Sequence, residues 1–283
     1  MVEIDTSSGT AILENPMQNH GIPVLFVHGF NSSSEIWLDT EDEKGFASIA
    51  ASNGFDPWLL DLSDPKLGDI RRLATEDLHE AIRLVYQEKK LKLRLVCHSM
   101  GGLLARIVTT ENLFPDIPKF LSVSYLTEIA MLATPNHGYV SGETFSDLVR
   151  AVEGILDLFA SDSLKRSLAK PFFQMLPGTL LSRLNKNPPL CPFLSWKNGV
   201  ALEDLVIPTD SAMFGKVDTR SVPRFEQRLF HASHMEGRPH WENMSNQAKD
   251  LLKKKRTFNL HYLEYPPIYR HPEVADWLFR NKT

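Results

Sequence analysis

The stretch LRLVCHSMGGLLARIV, Leu93 to Val108, changes its periodicity halfway along. It opens as a short apolar run of the kind found in strands buried on both faces. From Gly101 onward its apolar residues recur at helical spacing. Cys97, Ser99, Gly101 and Gly102 are all small and lie at the junction. A chain that passes directly from a buried strand into a buried helix is confined to alternating β and α units, in which helices cover a mostly parallel sheet. The same junction puts a serine on the bend. Ser99 is then either a turn residue or a nucleophile lifted clear of the sheet, with the first N–H groups of the helix aimed past it.

The rest of the chain repeats the alternation. IPVLFVHG (Ile22 to Gly29) and FDPWLLDLSD (Phe55 to Asp64) read as buried strands, and IRRLATEDLHEAIRLVYQEKK (Ile70 to Lys90) as one amphipathic helix with Leu73, Leu78, Ile82 and Val85 on one side. Thr127–Gly138 reads as a strand with a turn after it, Gly199–Pro208 as a strand with a loop and Arg224–His234 as the last central strand, with a helix after Ser99 closed by Pro115. Between 139 and 198 the rhythm breaks into two helical patterns and a proline-rich stretch. The expectation is a core of residues 1–138 and 199–283, with 139–198 inserted as a helical cap or lid. It would lie over the C-terminal edge of the sheet, where open α/β sheets take their ligands.

Charge and cysteine content narrow the function classes. The net charge of −4 argues against nucleic acid as a partner, and the lone basic run, Lys253 to Arg256, reads as a solvated helix end. Of the two cysteines, Cys97 lies within an apolar run and is expected to be a small buried residue, not half of a disulfide. The first sixteen residues lack the basic and apolar regions of a secretory signal. No window has the length of apolar sequence that a transmembrane segment needs. Together these point to a cytoplasmic, reduced protein.

VCHSMGG resembles the G-x-S-x-G nucleophile elbow of the α/β-hydrolase lipases and esterases, with Cys97 standing where the family has glycine. VLFVHGFNSSSEIW is similar to the family's His-Gly turn after an earlier strand. The resemblance implies an α/β-hydrolase fold and an oxyanion hole made by the backbone N–H groups of Phe30 and Met100. His28 would hold that loop in shape. It further implies an acid after a strand beyond the insertion, and then a histidine. ALEDLVIPTDSAMF is similar to the family's acid-bearing stretch and favours Asp204 over Asp210, which reads better as a helix cap. For the histidine, His234 at the end of RLFHASH is the first choice. His261 is the rival, ahead of a C-terminal helical pattern, and His231 and His240 come behind them.

The activity implied is that of a serine esterase or lipase using Ser99, Asp204 and His234, without cofactor. His231, His234, Glu236 and His240 cluster in sequence, but their spacing fits neither of the usual zinc patterns, so no metal is expected. Leu148, Val152, Ile155, Leu156, Phe159, Phe172, Phe173 and Met175 would either line an acyl pocket or pack the cap onto the sheet. They favour a small-molecule ester with a hydrophobic acyl group and leave room for transient contact with a lipid surface. Thioesterase, lactonase, amidase and acyltransferase chemistry use the same machinery, and a fold of this kind can also bind ligands without turnover.

Overall fold

A computed structural model describes residues 1–110, 122–138, 174–175, 178–187, 194–204, 206–207, 209–214, 224–235 and 264–280. Its strands are β1 (Val2–Thr6), β2 (Gly9–Glu14), β3 (Ile22–Val27), β4 (Phe55–Asp61), β5 (Leu93–His98), β6 (Leu126–Leu132), β7 (Ser195–Ala201) and β8 (Phe225–Phe230). Its helices are α1 (Phe46–Ser52), α2 (Ile70–Arg72), α3 (His79–Lys89), α4 (Met100–Thr109), α5 (Ser122–Tyr125), α6 (Thr179–Lys186), α7 (Thr209–Ala212) and α8 (Pro272–Phe279). The strands form one eight-stranded sheet in the order β1-β2-β4-β3-β5-β6-β7-β8. From β4 to β8 every pairing is parallel, whereas β1 and β2 run antiparallel along the β4 edge.

Alternation of side chains across the sheet explains why the central strands β3, β5 and β6 are largely apolar. Leu25 and Val27 of β3 and Leu95 and Cys97 of β5 bury against α3 and α4 on one face. Val24, Phe26 and Val96 bury on the other, against α1 and α8. Each such side chain contributes roughly 1.5–3 kcal/mol on burial, so both faces must be covered. Cys97 is buried and free, as expected. Burial pushes its thiol up, which keeps it protonated and inert.

Strand order has a direct consequence for function. The chain leaves β3 for β4 on one side and returns to β5 on the other, so the turns after β3 and β5 diverge from a shared crevice. That is the switch point at which open α/β sheets form ligand sites. The turn after β3 carries His28, Gly29 and Phe30, and the turn after β5 carries Ser99.

Several sequence expectations need correction. The hairpin β1–β2 was not anticipated. The last strand ends at Phe230, so His231 lies beyond it and not within it. Strand β7 starts at Ser195, ahead of the expected Gly199, and stops at Ala201, so Asp204 lies in the loop expected after it. The helix expected over 70–90 is interrupted by a π-helical stretch, Leu73–Leu78, between α2 and α3. The apolar spacing survives this change of winding, so the sequence pattern could not reveal it.

Within the π-helical stretch sits Asp77, fully buried, whose carboxylate accepts the Ser63 N–H at 2.7 Å. Burial pushes its carboxyl up to about 6, and the Ser63 N–H works in the opposite sense. An acid raised on folding stabilises the fold in its protonated form, so Asp77 supports the fold at low pH. That contribution disappears as pH rises through about 6. Asp77→Asn keeps an oxygen for Ser63 and removes the charge. It is expected to gain about 1–3 kcal/mol over wild type at pH 8 and little at pH 4. Urea unfolding at the two pH values reads the difference, and an equal gain at both would refute the assignment.

Candidate active site

The parallel ladder continues past the strand ends and sets the site. Ser99 N–H donates to Leu132 O at 2.8 Å, and Ala133 N–H to Gly199 O at 2.9 Å. Leu202 N–H donates to Phe230 O and Glu203 N–H to Ala232 O. These bonds carry the register from the end of β5 to the loops after β7 and β8, where Asp204 and His234 lie.

Ser99 adopts φ 53° and ψ −122°, a conformation that favours glycine. Neighbouring groups leave it no alternative. A Cβ on Gly29 would lie 2.8 Å from the Ser99 Cβ, and one on Gly101 would lie 2.7 Å from His28 O and 2.8 Å from Val27 O. Both glycines are therefore required by close approach, which accounts for the glycine two residues after the serine. Cys97, two residues before it, points into the core on the α4 side of the sheet, so a small side chain is accommodated there.

The structure brings the first-choice residues together. Ser99 Oγ lies 3.1 Å from His234 Nε2, and His234 Nδ1 lies 2.8 Å from Asp204 Oδ2. The other carboxylate oxygen of Asp204 accepts the N–H groups of Val206 at 2.8 Å and Ile207 at 2.6 Å. An imidazole that donates from Nδ1 to a carboxylate presents a bare Nε2 to the serine hydroxyl, the tautomer a general base requires. Ser99 and His234 are buried at 3% and 4% exposure, and the Asp204 side chain is fully buried, so the series is shielded from bulk water.

The rivals fall elsewhere. Asp210 accepts the N–H of Ser211 in α7, and His231 pairs with Glu203 at 2.8 Å with its ring largely exposed. His240, His261 and Glu236 lie outside the described residues, as do Cys191, the basic run at 253–256, Phe172, Phe173 and the apolar positions from Leu148 to Phe159. Met175 is described, and it is buried in the core on the α4 face.

His28 does what the His-Gly turn implied. Its Nε2 accepts the Leu62 N–H at 3.1 Å, so the proton sits on Nδ1, which donates to Gly29 O at 2.9 Å. Burial holds the imidazole below its ordinary range and keeps it neutral. The loop carrying Phe30 is thereby tied to the end of β4. Met100 is the first residue of α4, so its N–H is one of the four in that helix that have no acceptor within it.

Sequence reasoning passed over His98 and Arg106. His98 Nε2 lies 3.0 Å from His234 O. Arg106 is fully buried in α4 and donates to Asn136 Oδ1 at 3.0 Å and Asn185 Oδ1 at 2.7 Å. The first bond ties α4 to the loop after β6 and the second ties it to α6. His98 is adjacent to Ser99 in sequence and was visible as a second imidazole. No local pattern signals Arg106, because its partners come from distant segments.

Comparison with known proteins agrees with this fold. A family profile described as "Alpha/beta hydrolase family" matches residues 24–251. Triacylglycerol lipase 1 of Arabidopsis thaliana is 28% identical over 112 residues, covering 34% of this chain and 28% of the relative, so the match spans little more than a quarter of that protein. Among solved structures, Aspergillus fumigatus lipase B superposes with a TM-score of 0.57 at 12% identity, covering 78% of this chain and 51% of the lipase. A thermostable carboxyl esterase from Bacillus coagulans gives 0.51 at 13% identity, covering 81% and 88%. At these identities the structural likeness is one of fold.

The backbone at Ser99 makes a prediction independent of chemistry. At this φ and ψ glycine is unstrained and alanine is not. Ser99→Gly should therefore be more stable than Ser99→Ala by about 1 kcal/mol, the reverse of the usual order for these two residues near a helix. Thermal unfolding of the two variants side by side reads the sign.

Proposed function

The chain belongs to the alpha/beta hydrolase family, and from that premise we propose that it is a serine hydrolase that cleaves carboxylic esters through an acyl-enzyme. The observation that carries the reading is the series Ser99 Oγ, His234 Nε2, His234 Nδ1 and Asp204 Oδ2, at 3.1 and 2.8 Å. In it Ser99 is the nucleophile, His234 the base and Asp204 the orienting acid.

As Ser99 Oγ bonds to the ester carbonyl carbon, its proton passes to His234 Nε2. The carbonyl oxygen becomes an oxyanion and accepts hydrogen bonds from the N–H groups of Phe30 and Met100. Asp204, fixed by the Val206 and Ile207 N–H groups, stabilises the imidazolium. When the tetrahedral intermediate collapses, the C–O bond to the alcohol breaks and His234 protonates the leaving oxygen. Water then attacks the acyl-serine, His234 takes its proton and returns it to Ser99, and the carboxylic acid departs. No metal or cofactor enters these steps.

The insertion expected over 139–198 serves in this reading, up to residue 194, as a cap over the strand ends, because β7 of the sheet begins at Ser195. Two ties support it: Gln174 accepts the Ile70 N–H at 2.8 Å, and Asn185 in α6 donates to Asn136 O at 3.0 Å. The substrate is a hydrophobic ester, a reading supported by the apolar content of this segment and by the name of the Arabidopsis relative.

Two measurements test the proposal. A fluorophosphonate probe is expected to label the wild type covalently and to leave Ser99→Ala unlabelled. Ester turnover in that variant should fall by several orders of magnitude while its fold is retained. Equal labelling would remove Ser99 from the chemistry. Across p-nitrophenyl esters from acetyl to palmitoyl, kcat/KM is expected to peak beyond acetate, and a maximum at acetate would contradict the hydrophobic acyl pocket.

A further inference from the structure

We infer that His98 is a positioning residue for His234, holding the base's main chain through its Nε2–H while packing against its ring. This inference rests on the proposed role of His234 and goes beyond it, because the groups described so far orient the His234 imidazole only through Nδ1. The segment carrying that imidazole lies past the end of β8, outside any strand. Its neighbours are tied by backbone bonds, Ser233 N–H to Pro266 O at 3.0 Å and Ile268 N–H to Ser233 O at 2.9 Å. At His234 itself, the carbonyl takes its hydrogen bond from a side chain, that of His98, which sits at the end of β5 immediately before Ser99.

The chemistry of the contact fixes the state of His98. A carbonyl oxygen has no proton to give, so the proton of the 3.0 Å bond is on His98 Nε2. Burial and the neighbouring imidazole hold His98 well below its ordinary range, leaving Nδ1 as a bare acceptor. Among the described residues that acceptor has no partner. An unpaired buried nitrogen is a cost that a leucine or phenylalanine at this position would avoid.

Ring packing gives the arrangement its stiffness. The His98 ring centroid is 4.6 Å from that of His234 at 47°, and 4.8 Å from that of Tyr269 at 70°. Tyr269 belongs to the same 264–270 segment that ties down Ser233. One imidazole thus links the strand that delivers the nucleophile to the loop that delivers the base. A positioning error of about 1 Å between reacting groups can cost about a hundredfold in rate.

The test compares His98→Phe, which keeps a ring and loses the donor, with His98→Gln, whose Nε2–H reaches about as far as that of histidine. Fluorophosphonate labelling and p-nitrophenyl ester kinetics read the chemistry, and the low-field proton NMR signal of His234 Nδ1–H reads the position of the base without turnover. His98→Phe is expected to lose tenfold to a hundredfold in labelling rate and kcat with KM within about twofold, and to broaden or lose the low-field signal. His98→Gln is expected to recover to within about threefold and to keep the signal. If His98→Phe does not fold, His98→Met serves as the variant without a donor. Wild-type labelling and an unchanged NMR signal in the donorless variant would overturn the inference, as would a loss in His98→Gln as large as in His98→Phe. Failure of the wild type to label at all would instead overturn the hydrolase reading, and the NMR comparison would still decide the role of His98.

Discussion

The bond from Ser99 N–H to Leu132 O is where the sheet hands over to the site. It prolongs the β5–β6 ladder by one residue, at a position whose φ of 53° no serine adopts without compulsion. The compulsion comes from both sides. Parallel pairing fixes the residue before the turn, and α4, mostly apolar and fully buried, must start at once to cover the sheet. Backbone strain at one residue is thus underwritten by the burial of a whole helix. A strained residue kept in place by so much surrounding structure has little freedom to relax, which suits a group that must meet an imidazole at a set distance.

The two edges of the sheet use polar side chains differently. At the N-terminal edge, formal charges neutralise one another: Asp56 receives Lys89 at 2.9 Å and Trp58 Nε1 at 2.8 Å, and Glu128 pairs with Arg94 and Lys197. Those pairs hold strands in register and leave no reactive atom over. At the C-terminal edge three imidazoles take that place, and hydrogen-bond partners select their tautomers. His28 is protonated at Nδ1 because Leu62 donates to Nε2, and His98 is protonated at Nε2 because a carbonyl faces it. His234 donates from Nδ1 because a carboxylate faces it. Only the last of the three presents its remaining lone pair to a hydroxyl.

Elements whose signal is local were legible in the sequence. The central strands β3, β4, β5 and β6 announce themselves as largely apolar runs because both faces are buried, whereas the edge strand β8 is mostly half-buried or exposed, and the elbow at Ser99 is a junction of two periodicities within sixteen residues. Asp204 and His234 are separated from each other by 30 residues, and His234 from Ser99 by 135. The sequence could give their order and their place near strand ends, but the choice of His234 over His231 depends on how the chain bends after Phe230. Asp204 and Asp210 divide for a similar reason, since only the turn through Val206 and Ile207 directs a carboxylate at the imidazole. Half-buried β1 and β2 mix exposed and buried positions and lack the uniform apolar run of their neighbours. The π-helical stretch keeps the spacing of an α-helix and differs only in winding. Buried hubs such as Arg106 and His98 are defined by what reaches them from elsewhere, which no single window contains.

The hairpin on the β4 edge changes what the molecule offers to its surroundings. A block of parallel strands ending at β4 would present a row of open main-chain donors and acceptors, a template on which another polypeptide could extend the sheet. The antiparallel pair shifts that frontier outward to a short strand with Glu3 and Asp5 exposed, beside a groove also lined by Glu76 and Glu80. A second molecule approaching edge-on with the same face meets like charges before it meets hydrogen-bonding partners. Carboxylates thus guard this margin of the sheet, away from the strand tips that carry Ser99.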